Sequence, residues 1–487
     1  MFGPITPNIF AYIALFGWPV VVFVLFKWLP SHKALVISIL AGYLILPSGF
    51  GIDLPLVPSM DKKSIPAVSC LAAILAIHAS QRKRIPAAPN IPDRNLVSKI
   101  YVLLLLLCFV TPFLTVLTNP EPIIAGPTFL PGQTLYDAAG ILMVFFITVL
   151  PLILGYRLLK TEESHIFLLK AFCVSGLLYS LPVLVEVRLS PQVSSWVYGY
   201  FPHGFSHHFR YGGYRPVVFL QAGLWVGIFL SKATIASVIL WKFYGGTRQS
   251  IPYLYASVFL FFTLYLSKNF GALLITITLL LAIVILGVKR SLIIPAAVTV
   301  LILIYPVLRH YDVVPTEAAV EAAAQINAER ARSLEYRIGM EDSMLERAME
   351  KPVAGWGLWN RGSIHDPHTG RNLTVPDGIW IITINSFGWM GYIATFGLLT
   401  LPILAVYARR KTPELSVATA GVTLLLAATL VDAIPNAPLT PIVYLSAGSL
   451  IGYCRNRTAA REESTQEKSA PNAATPAIPL RKRVPRT

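Results

Sequence analysis

An all-α polytopic membrane protein, with about 12–13 transmembrane helices and a large extracytoplasmic loop containing an amphipathic helix, is the fold class this sequence predicts. Three observations carry it. Hydrophobic residues make up 55% of the 487 positions and charged residues only 13%. The apolar residues gather into blocks of about 17 to 25, the length that crosses a bilayer core. The Lys and Arg behind the formal charge of +16 fall in short connections and in the C-terminal tail. There they read as the positive-inside pattern and not as a nucleic-acid surface.

The first block, 9–29, has no Lys or Arg before it and no clear small-residue cleavage site after it, so it reads as a retained helix and not a signal peptide. The others lie near 34–50, 66–80, 97–118, 134–157, 165–185, 214–243, 251–267, 270–287, 291–308, 379–407, 416–433 and 437–454. Basic connections orient them. Arg82, Lys83, Arg84, Arg94 and Lys99, then Arg157 and Lys160, Lys289 and Arg290, and Arg409, Arg410 and Lys411 all fall on one side, the cytoplasmic one. The opposite side carries the two longest connections, 186–213 and 309–378, and the stretch 118–133, which has no Lys or Arg. Residues 1–194 therefore read as N-terminal helices and 411–455 as C-terminal helices, on either side of the region 195–410. Residues 456–487, rich in Ala, Pro, Ser, Arg and Lys, read as a disordered cytoplasmic tail. Cys70, Cys108, Cys173 and Cys454 lie in or beside apolar segments without metal-type or pairing spacing, as small core residues do.

Within 309–378, residues 316–350 are rich in Ala, Glu, Arg, Leu and Met, with Leu334, Ile338, Met344, Leu345 and Ala348 approximating a helical apolar stripe. Pro352 and the glycines of "KPVAGWGLWNRG" end the helix. The prediction is an amphipathic helix across the outer membrane face. Arg330 and Arg337, two turns apart, share a face, and Glu341 can pair with Arg337 at i, i+4. An exposed helix laced with weak ion pairs accounts for this pattern; so does a grip on a diphosphate, for which Arg is the best-shaped side chain.

The other long connection, "SSWVYGYFPHGFSHHFRYGGYRPVVFLQAG", surrounds Arg210 and Arg215 with aromatic rings, which an interfacial belt explains. Arg215 enters the head of an apolar helix, where a cation is costly without a partner or an anion. His203, His207 and His208 are interrupted by Gly204 and have no carboxylate nearby, so no metal is expected. Lys268, in "LSKNFGALL", reads as a snorkelling turn residue on the same outward side. Asp377 heads the apolar stretch "GIWIITINSFGWMGY", and helix capping and chemistry are both open to it. No phosphate loop, nucleotide-binding glycine pattern, nucleophile elbow or zinc-protease helix is present in the sequence, so no cofactor is expected.

The order of these segments over residues 195–410 resembles the bacterial O-antigen ligase and O-antigen polymerase superfamily of membrane glycosyltransferases: "YGGYRPVVFLQAG", "LSKNFGALL", the loop helix, "KPVAGWGLW", and a polar residue heading a helix that contains "GWMGY". The resemblance implies action on polyprenyl-diphosphate-linked glycans, as donor and acceptor, at the outer face of the inner membrane. It implies Arg215 and Arg337 on the diphosphate and Asp377 as the base toward the acceptor hydroxyl, with Arg210, Lys268, Arg330 and Trp356 binding substrate. Ligases carry a His, usually followed by Asn, about eleven positions before the first of the paired glycines; here Asp377 and Gly378 stand there, counting from Gly388. That departure favours the polymerase branch, which joins repeat units of a surface polysaccharide with a chain-length regulator and a flippase as partners. A ligase transferring glycan to lipid A core is the nearest rival. A lipid or polysaccharide transporter is the rival from another class, and would favour charges near mid-membrane.

Overall fold

The computed structural model describes residues 6–54, 57–81, 96–202, 208–210, 212–326, 328–437 and 439–469. From the N-terminus the chain forms α1 (Ile9–Trp28), α2 (Ser31–Ile45), the hairpin β1 (Gly51–Leu54) and β2 (Val57–Asp61), α3 (Ile65–Gln81) and α4 (Leu96–Leu117). A second hairpin, β3 (Ile123–Ala125) and β4 (Thr128–Leu130), precedes α5 (Leu135–Leu158), α6 (Glu162–Leu189) and the short α7 (Val193–Tyr198). A third, β5 (Phe209–Arg210) and β6 (Gly213–Tyr214), leads to α8 (Gly223–Phe243), α9 (Ser250–Leu266) and α10 (Phe270–Leu286). Then come α11 (Ile293–His310), α12 (Thr316–Ile326), α13 (Ala328–Met349), α14 (Ile379–Ala408), α15 (Val417–Asp432) and α16 (Pro441–Ser469).

Each expected apolar block contains one helix. Among the described residues seven helical segments are long and apolar enough to cross a membrane: α1, α4, α5, α6, α8, Arg290–His310 and α14. Five shorter apolar helices, α2, α3, α9, α10 and α15, accompany them. The chain is a multi-pass, mostly helical membrane protein. Two helices form its centre: α8 is 89% buried over its apolar window, and nearly every residue of α15 is buried. Large apolar side chains on the rim, such as Ile9, Ile13 and Val20 of α1 or Leu281, Val284 and Ile285 of α10, are exposed, as lipid-facing surfaces are. Helices α5 and α16 touch through glycine: a Cβ at Gly448 would lie 1.9 Å from the carbonyl oxygen of Leu152, and one at Gly452 2.5 Å from that of Tyr156. Small residues four apart let membrane helices pack backbone to backbone. All four cysteines are buried and free.

Several boundaries differ from the sequence reading. Helix α8 starts at Gly223 and not 214, because Pro216 and a left-handed Val218 (φ 53°) keep the preceding segment out of the helix, in turns and bends over 218–222. The loop helix is two helices, α12 and α13. The C-terminal part of its stripe packs against protein, not lipid: Met344, Leu345 and Ala348 are buried, with α13 on α14, while Leu334 and Ile338 are half-buried. Helix α16 runs on to Ser469, past the expected end at 454, while 470–487 lie outside the described residues.

Helix α14 is broken at Gly388 (φ 59°, ψ −165°). In a membrane each unsatisfied backbone group costs several kcal/mol, so a break needs partners. Residues 352–357 supply them. Trp389 N donates to Pro352 O at 2.7 Å and Met390 N to Val353 O at 3.1 Å, while Trp356 N and Gly357 N donate to the carbonyls of Asn385 and Ser386 at 2.9 and 2.8 Å. Gly355 and Gly388 permit the approach; a Cβ on either would lie 2.4 Å from the opposing backbone. The segments "KPVAGWGLW" and "GWMGY" are thus two halves of one joint.

Connections alternate between two ends of the bundle. At one end the described parts of 46–64, 118–134, 190–222, 267–269, 311–378 and 433–440 interlock through hydrogen bonds such as Lys351 Nζ to Asn119 Oδ1 (2.8 Å), Tyr200 Oη to Ser48 O (2.7 Å) and Ile379 N to Asn436 O (3.0 Å). The other end carries Arg157, Lys160, Lys289, Arg290, Arg409, Arg410 and Lys411.

Candidate functional site

The loop end gathers the charged residues that the sequence singled out. At the entrance of α14, Arg337 Nε and Asp377 Oδ2 form an ion pair at 3.0 Å, both side chains partly exposed. The N-cap of α14 is Gly378, and no side chain caps it. The capping alternative for Asp377 therefore falls away, and the carboxylate is committed to Arg337.

Glu341 does not form the expected i, i+4 pair. Its Oε1 accepts instead from Trp380 Nε1 at 3.2 Å, because α13 turns that face onto the first turn of α14. Gly378 makes room: a Cβ there would lie 2.9 Å from Glu341 Oε1 and 2.4 Å from the carbonyl oxygen of Ile434. Burial pushes the Glu341 carboxyl up to about 7, against the opposing pull of the Trp380 bond and of Arg309 and Arg337. Beside it Arg309, at the end of α11, is buried and bonds Asp342 at 2.5 Å.

From this entrance the chain leads to a second cluster. Ile379 N is tied to Asn436 O, and Asn436 Nδ2 donates to Asp432 Oδ1 at 3.0 Å at the end of α15. The Asp432 carboxylate is close enough to Lys232 and Arg215 for their charges to act on it. Arg215, 8% exposed, donates from Nη2 to Asn269 Oδ1. Asn269 fits because position 227 is glycine, where a Cβ would lie 2.5 Å from Asn269 Cβ. Lys268 (φ 57°) folds back over the β5–β6 hairpin, so that a Cβ at Gly213 would lie 2.1 Å from its Nζ. It does not snorkel outward. Arg210 lies on β5 and Arg330 on α13, with their side chains outside the described residues.

The segment after Arg215 is clamped. Glu186 Oε2 accepts from Val217 N at 2.7 Å and Val218 N at 2.8 Å, and its Oε1 from Val193 N at 2.9 Å. Phe219 O accepts from Lys62 Nζ and Ser48 Oγ, both at 2.6 Å. Burial pushes the Lys62 ammonium down to about 7, with Asp61 opposing. Tyr198 and Tyr200, read as part of an aromatic belt, are buried and donate to Ile45 O and Ser48 O.

Trp356 stands apart from these clusters. It is buried, its Nε1 donates to Arg347 O at 2.7 Å, and the Arg347 guanidinium covers its ring at 3.4 Å. Its ring is therefore a platform for Arg347 and Lys351, and the expected contact with substrate is not what its surroundings provide. A cleft of about 380 Å³ opens on the far flank of α13, against β3 and residues 363–367, lined by Ser343, Glu346, Arg347, Glu350 and His365 among others. Among the described residues no group of three or more His, Cys, Asp or Glu could hold a metal ion; His203 and His207 lie outside them.

Lys232, Asp432, Arg309 and Glu186 were not singled out from sequence. For Lys232 and Asp432 the signal was there, since each is an isolated charge within an apolar helix. Glu341 was noticed only as a partner for Arg337. No protein-family model, curated protein or solved structure matches this chain.

Proposed function

We propose that this protein is a glycosyltransferase of the bacterial inner membrane that joins polyprenyl-diphosphate-linked oligosaccharide repeat units into a surface polysaccharide, with its loop end on the extracytoplasmic side. One observation carries the reading: cations and carboxylates far apart in sequence meet at a single end of the bundle, linked through the turn 433–436. The chemistry divides by charge. Diphosphate departure develops negative charge, which Arg215 and Arg337 are placed to meet; the acceptor hydroxyl must lose a proton, which a carboxylate at the entrance of α14 takes up. The ordered resemblance to the O-antigen ligase and polymerase superfamily supports the same assignment, and Asp377 in place of a histidine favours a polymerase over a ligase. Apart from Lys232, which lies midway along α8, the charges named above gather at the loop end, and that placement favours transfer over transport.

The test is chain growth by the purified full-length protein in nanodiscs, supplied with lipid-linked oligosaccharides extracted from a deletion strain. Arg215→Ala and Arg337→Ala should each abolish growth with the protein still inserted, and Lys at either position should restore little, because the guanidinium fork is lost. Normal growth by both alanine variants at matched abundance would sink the diphosphate assignment. Long unattached chains in the deletion strain, where the polymerase reading requires single repeats, would give the function to a ligase.

A further inference from the structure

We propose that Glu341, and not Asp377, is the group that takes the proton from the acceptor hydroxyl, while Asp377 is a positioning residue that aims Arg337. The proposal rests on the glycosyl-transfer reading above and assigns the two carboxylates at its site.

The geometry separates them. Asp377 holds Arg337 Nε at 3.0 Å, so a proton on Asp377 would discharge the pair that orients the guanidinium. One turn along α13, Glu341 sits against the first turn of α14, with one oxygen fixed by Trp380 Nε1 at 3.2 Å and its side chain only partly covered. The bond to Trp380 orients the carboxylate without neutralising it. Arg309 and Tyr305 from α11, Trp380 from α14, and Arg337 and Asp342 from its own helix surround it; a Cβ on Gly378, next to Asp377, would lie 2.9 Å from Glu341 Oε1. Arg309 is engaged by Asp342 and Arg337 by Asp377, which leaves Glu341 flanked by cations that each already have a carboxylate. Such a group, raised to about 7, changes protonation near neutral pH, as a general base must.

The step balances. The acceptor O–H bond breaks and its proton passes to Glu341; the new bond forms from that oxygen to the anomeric carbon. The bond from that carbon to the diphosphate oxygen breaks, and the polyprenyl diphosphate leaves with the electron pair, against Arg337 and Arg215. Glu341 then returns its proton to solvent.

The experiment uses the full-length protein in nanodiscs with the same extracted lipid-linked oligosaccharides. Wild-type growth should rise with pH through about 7, as Glu341 loses its proton. Glu341→Gln should lower the rate by ~10²–10⁴-fold and remove that rise, whereas Glu341→Asp should keep a rise with pH at a reduced rate. Asp377→Asn should raise KM for the donor more than it lowers kcat, and keep the pH profile. A second readout is independent of turnover. A carboxyl raised by burial stabilises the fold fully below its ordinary range, and that contribution is lost as pH climbs through the raised value. Wild-type thermal stability should therefore fall between about pH 5 and pH 8 more steeply than that of Glu341→Gln. Wild-type rate and pH profile in Glu341→Gln, or loss of the pH rise in Asp377→Asn alone, overturns the Glu341 assignment and leaves glycosyl transfer standing. A wild-type protein that extends no lipid-linked oligosaccharide overturns both.

Discussion

Glu186 is wholly buried, and its two oxygens accept three backbone N–H groups, two of them directly after Arg215–Pro216. Removing an acceptor strands each buried donor at about 1–3 kcal/mol, and Val218 already holds a left-handed conformation that a β-branched residue resists. Glu186→Ala should therefore cost several kcal/mol by that rule, seen as a lowered unfolding midpoint in detergent. Glu186→Gln keeps one acceptor oxygen and should fall between. Equal midpoints for all three proteins would show that the clamp does not hold this segment. Asp377 and Arg337 were legible one by one, as a carboxylate at a helix mouth and a cation on a loop helix. Their pairing was not, because 40 residues of chain separate them and no local period reports what a loop folds back upon.

At the scale of elements, the break in α14 decides the shape of the loop end. A straight helix through Gly388 would leave the carbonyls of Asn385 and Ser386 within the ladder and residues 352–357 without their seat. At φ 59° and ψ −165° Gly388 holds a conformation essentially confined to glycine, where an L-residue costs about 1–3 kcal/mol before any clash, and a Cβ there would also meet Val353 C at 2.4 Å. Gly388→Ala should loosen the joint, measured as faster hydrogen exchange at the Trp356 and Gly357 amides; unchanged exchange would mean that the joint tolerates a side chain. In the sequence both segments stood out for their glycines. That each completes the other's hydrogen bonds is a tertiary fact, since apolar composition continues unbroken through Gly388.

For the molecule as a whole, the bundle fixes which connections share an end, while orientation follows from charge. Basic connections gather opposite the loop end, so positions 363 and 469 should lie on opposite sides of the membrane. Single cysteines at Ser363 and Ser469, in a background with the native four replaced, test this. An impermeant thiol reagent should label 363 and not 469 in cells with an intact inner membrane, and the reverse pattern would invert the topology.

The sequence by itself determined the class of protein, the place of every apolar helix and the long connections between them, because transfer of apolar residues into lipid acts on each segment locally. It also marked Arg215 as a cation needing a partner or an anion, and singled out Arg337 and Asp377 for chemistry or for simpler structural roles. Only the tertiary structure decided who those partners are: Asn269 for Arg215, Asp377 for Arg337, Trp380 for Glu341, and residues 352–357 for the broken helix. The reason is physical. Burial of apolar surface is non-directional and can be read along the chain, whereas a hydrogen bond or ion pair exists only where packing brings two specific atoms within about 3 Å.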